Sequence, residues 1–275
     1  MNFKEIILLI CPPLIIKLFS RFRRKVRTYE SYAEALEDCG SGYDGNIIAK
    51  VVVEKNKVVR DAVSNGRAAF DMNALRALSA GLALSGSDSD TLNVLDFGGG
   101  GGYHYYFFKS AMGDKKRVRW CVVETPQMVS AAKELESDEL IFADSIEGAL
   151  ERLGRVDFVL ICGSIQYTPD PLRFLSRLVS LGAERLFVTR TPLSETDKTA
   201  VLVQRSMLSS NGPGRLPEGV KDGEIIYPVT VLAKKALEKV LSSAYEIQVT
   251  LIEEGRAHFI DGGFVGNYGY LCLRK

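Results

Sequence analysis

The run Val94-Leu95-Asp96-Phe97-Gly98-Gly99-Gly100-Gly101-Gly102-Tyr103-His104 constrains the fold of this chain more than any other stretch. A short apolar strand carries an acid near its end, then five glycines, then residues able to open a helix. Glycine lets the backbone turn sharply and come close to a ligand. The helix start beyond it presents unpaired N–H groups and the positive end of a dipole. A strand–turn–helix of this kind is a seat for a cofactor.

The chain beyond the glycines repeats the same rhythm. Strands are expected at Leu92–Phe97, Val118–Glu124, Leu140–Phe142, Val156–Cys162 and Arg185–Thr189, with helices at Tyr103–Met112, Thr125–Leu135, Ile146–Leu153 and Asp170–Leu181. Such β-α alternation predicts a parallel sheet covered by helices on both faces. The end differs: Val229–Ser242 reads as a helix, and Tyr245–Ile252 and Tyr268–Leu273 as strands with a loop, Glu253–Asn267, between them. Strands joined without a crossover helix pair antiparallel or lie apart. The expected fold is therefore α/β: a doubly wound, mostly parallel, seven-stranded Rossmann-like sheet.

Ahead of the sheet, three segments can be told apart. Residues 28–90 read as a helical extension, with helices near Tyr29–Leu36 and Ile47–Val59, although Val51-Val52-Val53 also suits a strand. The polar stretch Ser85–Asp90 separates this extension from a domain spanning 91–275. Residues 1–27 are different again. Ile6–Phe19 is apolar for about 14 residues, short of the roughly 20 a spanning helix needs, and Pro12-Pro13 divides it. Lys4, Lys17, Arg21, Arg23, Arg24, Lys25 and Arg27 stand against one acid, Glu5, and most of them follow the apolar run. That order opposes a signal peptide. It suits a segment, residues 6–27, lying on an anionic membrane surface at the cytoplasmic side, or else a helix docked on protein.

The rest of the chain carries more acids than bases, because the whole has 35 Lys and Arg against 34 Asp and Glu. A slightly acidic body excludes nucleic acid as a general partner. Five scattered cysteines without a C-x-x-C give no disulfide or metal framework, so no metal is expected, and Cys121, Cys162 and Cys272 fall in apolar strands as core residues.

The register of the glycines selects the cofactor. The dinucleotide fingerprint G-x-G-x-x-G fails in either frame, since its last glycine would be Tyr103 or His104. What fits is Asp96-x-Gly98-x-Gly100-x-Gly102, an acid two residues ahead of the glycines. This suits S-adenosylmethionine, whose ammonium and sulfonium are cationic. Glu124 ends the second strand, where an acid can accept both ribose hydroxyls, a device that NAD sites share. Asp144 follows the third strand and suits either the adenine amino group or a helix N-cap.

On these residues the chain, over about 92–275, resembles the class I S-adenosylmethionine-dependent methyltransferases. Five parallel strands followed by helix, strand, loop and reversed strand is that superfamily's pattern. More narrowly it looks like a bacterial family of methyltransferases linked to surface-polysaccharide biosynthesis. The likeness lies in Ser31-Tyr32-Ala33-Glu34-Ala35, Gly42-Tyr43-Asp44, Leu95–Gly99, Val122–Pro126, Ser164–Tyr167 with Asp170-Pro171, and Thr189–Pro192. The resemblance implies O-methylation of a glycan or lipid-linked saccharide.

In a doubly wound sheet, ligands bind beyond the carboxyl ends of the parallel strands. Gly163–Asp170, the long insertion from Arg190 to Tyr227 and the loop Glu253–Asn267 all reach that edge. A sugar hydroxyl gains from a general base, and the two histidines, His258 and His104, are candidates, with His258 the better placed. Gln166 and Tyr167 suit the pocket beside the cofactor, and for Tyr167 packing at the helix cap suits equally. Arg190 and Tyr227 suit the acceptor: Arg190 would grip a phosphate or carboxylate, or pair with a neighbouring acid. Other readings remain open: transfer to a small molecule or quinone-like lipid, and a non-catalytic scaffold that binds the cofactor.

Overall fold

The structure, a computed structural model, describes residues 27–39, 46–68, 70, 91–113, 117–260 and 263–275, and of residues 46 and 254–260 the backbone only. The membrane-surface segment, all but its final Arg27, and the Ser85–Asp90 linker lie outside the described residues. No helix among the described residues is long and apolar enough to cross a membrane.

Five parallel strands form the centre: β1 (Thr91–Phe97), β2 (Arg117–Val123), β3 (Leu140–Ala143), β4 (Phe158–Cys162) and β5 (Arg185–Ser194). They are ordered β3-β2-β1-β4-β5, so the chain runs outward from β1 to one edge and then returns to the other side. That reversal leaves a crevice at the carboxyl ends of β1 and β4, the usual ligand position in open α/β sheets.

The helices between these strands begin where the sequence places capping residues. Thr125 accepts from the Met128 N–H ahead of α4 (Pro126–Ala132), Ser145 from Gly148 ahead of α5 (Ile146–Leu153), and Asp170 from Arg173 ahead of α6 (Pro171–Ser180). Pro126 and Pro171 occupy first-turn positions, where a missing N–H costs nothing. The helix after the glycines, α3 (Tyr103–Met112), is the exception: its N-cap is Gly102, with no side chain to cap it.

The sheet separates two cores. One face packs Leu95, Cys121, Val159, Ile161 and Leu186 against α5, α6 and α7 (Lys234–Ser242). The other packs Val94, Trp120, Leu160 and Phe187 against α3, α4 and the N-terminal α2 (Asn46–Ser64), which follows the short α1 (Tyr32–Glu37). Thus α2 belongs to the core of the sheet, and the Val51-Val52-Val53 run is helical.

Beyond β5 the structure corrects the sequence reading in three places. β5 runs on past Thr189 to Ser194, and the insertion is a hairpin of β6 (Ala200–Met207) and β7 (Glu224–Ala233). Val229–Ala233 is therefore strand, not the first turns of a helix. Its β-branched Val229, Thr230 and Val231 pair with Leu202, Val201 and Ala200 across the hairpin. The supposed loop Glu253–Asn267 is also strand: β8 (Tyr245–Ile260) and β9 (Gly263–Arg274) form one long hairpin, and β9 runs antiparallel to β5. The described sheet accordingly has nine strands rather than seven, the extra pair being the β6–β7 hairpin. That pair stands above the carboxyl end of β4, joined to β5 through Leu193 and Ser194.

Candidate functional site

A cleft of about 410 Å³ opens at the carboxyl ends of the strands. Gly98, Gly99, Gly100 and Gly101 form one wall, joined by His104, Glu124, Cys162 and Gly163. The opposite wall comes from the insertion and the segment after β4: Tyr167, Arg190, Gln204, Ser206 and Tyr227. Val52 and Asn56 of α2 close a further side.

The glycine wall rests on Asp96. Sequence reasoning put this carboxylate against the cofactor; the structure places it one layer beneath. Asp96 has no exposure, and its Oδ2 accepts from Trp120 Nε1 and lies against His104 Nδ1, each at 3.1 Å. A Cβ on Gly99 would come within 2.4 Å of that same oxygen, so only glycine lets the loop lie over the acid. Oδ1 is buried without a hydrogen-bond partner among the described residues. Removing one partner of a buried pair of this kind costs about 3–5 kcal/mol, enough to define Asp96 as the support of the loop.

His104 connects that support to the cleft. Burial alone would push its pKa down, but Asp96 and Cys162 beside the ring outweigh it and hold the imidazole well above the usual histidine value. The ring thus binds its proton more tightly than a free histidine does, and it links the buried acid to the cleft wall.

Glu124 stands where the sequence put it, at the end of β2 in the cleft wall. Its Oε1 accepts from the Gly100 N–H and its Oε2 from the Thr125 N–H, both at 3.0 Å, so the acid ties the glycine loop to the start of α4. Asp144 is exposed and outside the cleft lining, meeting the Ser145 hydroxyl at 3.3 Å. The cap expected of it is supplied by Ser145 instead. Gly98 and Gly100 line the cleft, whereas Gly102 turns into α3 above Leu140.

On the opposite wall, Tyr167 and Tyr227 meet edge to face, with ring centres 5.2 Å apart. Gln204 joins their hydroxyls: Tyr167 donates to its Oε1 at 3.3 Å, and its Nε2 donates to Tyr227 at 3.1 Å. Tyr227 donates onward to Ser206. Burial, with Tyr227 nearby, pushes the Tyr167 hydroxyl up to about 12, so at neutral pH it donates hydrogen bonds rather than accepting a proton.

Arg190 has the most unusual backbone in the site. Its φ of 56° makes it the one non-glycine among the described residues in the left-handed region, a conformation costing about 1–3 kcal/mol. It belongs to a bulge: Val188 faces Tyr270 and Thr191 faces Tyr268, so Thr189 and Arg190 share Gly269 as their opposite residue. Glu253 reaches over from β8 and supplies what the bulge removes. Its Oε1 accepts from the Arg190 N–H at 3.0 Å and from the Thr189 hydroxyl. A Cβ on Gly269 would approach that oxygen to 3.0 Å, so the glycine clears its path. Gln166, expected beside the cofactor, is instead buried outside the cleft lining, and its Nε2 donates to the Arg190 carbonyl at 3.4 Å.

His258 lies in β8 opposite Val265, which in turn faces Ser194, so its backbone is level with the end of β5. Its side chain lies outside the described residues.

Sequence reasoning missed Glu253 and the contribution of α2. Lys55, buried, donates to the Ser209 and Asn211 carbonyls at the turn of the insertion, and Asn56 packs against Gly101. A signal was present. Val52, Lys55, Asn56 and Val59 share one helical face, so two polar residues interrupt an apolar stripe.

No protein-family model matches this chain, and no curated protein does. Among solved structures it is similar to a S-adenosylmethionine-dependent methyltransferase from Clostridium acetobutylicum, at 13% identity over 80% of this chain and 98% of that one, with a TM-score of 0.45. It is also similar to CalS10, an amino pentose methyltransferase from Micromonospora echinaspora involved in calicheamicin biosynthesis, whose structure holds SAM. There the identity is 13% over 79% of this chain and 97% of that one, with a TM-score of 0.46. The sugar N-methyltransferase KedS8 from Streptoalloteichus gives 17% identity, 79% and 93% coverage and a TM-score of 0.45.

The raised His104 pKa has a measurable consequence. A group that binds its proton more tightly when folded stabilises the fold fully below its unfolded pKa of about 6.5, and that contribution is lost as pH rises through the folded value. We expect the thermal midpoint of the wild type to fall on going from pH 6 to pH 9 by more than that of His104→Gln. Parallel profiles would show that the imidazole is neutral.

Proposed function

We propose that this protein is a S-adenosylmethionine-dependent methyltransferase acting on a hydroxyl of a saccharide, free or lipid-linked. The observation that supports this reading is the cleft itself: the glycine loop and Glu124 wall one side of it, and a polar, hydroxyl-rich insertion walls the other.

The bound cofactor supplies an electrophilic methyl group on a sulfonium. Gly98–Gly101 offer flat backbone for its chain, and the uncapped start of α3 offers N–H groups to its carboxylate. Glu124 turns its carboxylate toward the ribose hydroxyls. Methyl transfer from sulfur to oxygen is an in-line displacement, so holding the two ends at the correct angle supplies most of the acceleration. Tyr167 and Tyr227, fixed by Gln204, orient acceptor hydroxyls by accepting hydrogen bonds from them. His258 is the base that takes the proton the acceptor oxygen loses, because Tyr167 holds its own proton. Residues 6–27 would keep the enzyme at the membrane surface where a lipid-linked acceptor is presented.

Titration calorimetry checks the cofactor. We expect S-adenosylhomocysteine to bind and NAD not to, and Glu124→Ala to weaken S-adenosylhomocysteine tenfold or more. Binding of NAD alone would overturn the assignment. For the N-terminal segment, deletion of residues 1–27 is expected to abolish co-sedimentation with vesicles containing anionic lipid; unchanged sedimentation would remove the membrane contact.

A further inference from the structure

Arg190 is exposed, and its side chain lines the cleft. Among the described residues no carboxylate lies within ion-pair range of its guanidinium, and the side chain passes over Gly163 into the cleft. Glu124 is the only described acid that lines the cleft, and it is committed to the glycine loop. On the acceptor side the described lining is neutral and hydroxyl-rich apart from this one cation.

The backbone beneath that cation is held from several sides. A left-handed arginine persists only where its surroundings over-determine it. Here three side chains do so from both directions: Glu253 holds the Arg190 N–H, Thr189 shares the same carboxylate oxygen, and Gln166 holds the Arg190 carbonyl. Gly269, opposite the bulge, leaves the space through which Glu253 reaches. None of these contacts is needed to continue β5, whose pairing with β9 resumes at Thr191. Their common effect is to turn one guanidinium out of the sheet toward Tyr167, Gln204 and Tyr227. Glu253 accepts through its carboxylate from the backbone of Arg190, so the acid fixes the residue without neutralising its head group.

We infer that the acceptor is an acidic saccharide, whose carboxylate or phosphate is received by Arg190, and that Glu253 is a positioning residue holding Arg190 for that purpose. A planar guanidinium offers two parallel N–H donors to such an oxyanion, which a lysine ammonium does not. This inference rests on the methyltransferase reading for the word acceptor, while the oxyanion site stands on its own geometry.

The test uses the full-length protein, with and without S-adenosylhomocysteine, titrated with glucuronate, glucose 1-phosphate and glucose. These share a ring and differ in charge. We expect at least one anion to bind tenfold or more tightly than glucose, and whichever does so distinguishes carboxylate from phosphate. Arg190→Gln and Arg190→Lys are each expected to weaken that anion at least tenfold while leaving S-adenosylhomocysteine affinity within twofold. Glu253→Ala should weaken the anion with the guanidinium still present, and Glu253→Gln, which can still accept from the backbone, should restore much of it. Equal binding of glucose and both anions, or anion binding unchanged in Arg190→Gln, would overturn the inference. So would a loss in Arg190→Gln of affinity for S-adenosylhomocysteine but not for 5′-methylthioadenosine, because the guanidinium would then serve the cofactor's carboxylate. Failure of the wild type to bind S-adenosylhomocysteine would instead count against the methyltransferase reading, and the titrations without it would still decide the oxyanion site.

Discussion

Asp96 lies at the end of the central strand with no exposure, and one of its oxygens meets both Trp120 and His104. An isolated carboxylate in that position would cost several kcal/mol, so the two partners are a condition for the strand to end there at all. Each partner ties the acid to a different element: Trp120 to β2 and His104 to α3. The glycine loop then lies directly over the carboxylate, and the shape of the cleft follows from that contact. Cys121, beneath in the opposite core, is an inert thiol whose pKa burial pushes up to about 12.

From this centre two further layers take their positions. α2 covers the loop by packing Val52 and Asn56 against Gly100 and Gly101, and the adjacent Lys55 clasps the turn of the β6–β7 insertion. Neighbouring residues on one helix therefore touch both walls of the cleft. At the far side, the bulge in β5 re-aims Arg190 into the same space, supported from β8 across β9. The glycine wall is made of backbone with one acid, a histidine and a cysteine, and the opposite wall of hydroxyls, an amide and one guanidinium.

Much of this was legible in the sequence because it is local. Strand and helix alternation and the glycine turn each depend on a few consecutive residues. β7 was not legible, because Val229–Ala233 runs into a true helix with no breaker between them, and a short apolar run suits either structure. The β8–β9 hairpin was hidden by Glu253-Glu254-Gly255 and Gly262-Gly263, whose composition reads as a loop. The direction of Asp96 was hidden for another reason. Sequence shows an acid beside the glycines but not whether its side chain faces the ligand or the core. Glu253 and Arg190 are 63 positions apart, and only the bulge brings them together.

A crystal structure of the protein with S-adenosylhomocysteine tests the central assignment most directly. The ligand is expected against Gly98–Gly101, with its ribose hydroxyls on Glu124, and Asp96 still beneath Gly99 in contact with Trp120 and His104. A ligand seated elsewhere, or an Asp96 side chain turned out of the core to meet it, would contradict the assignment.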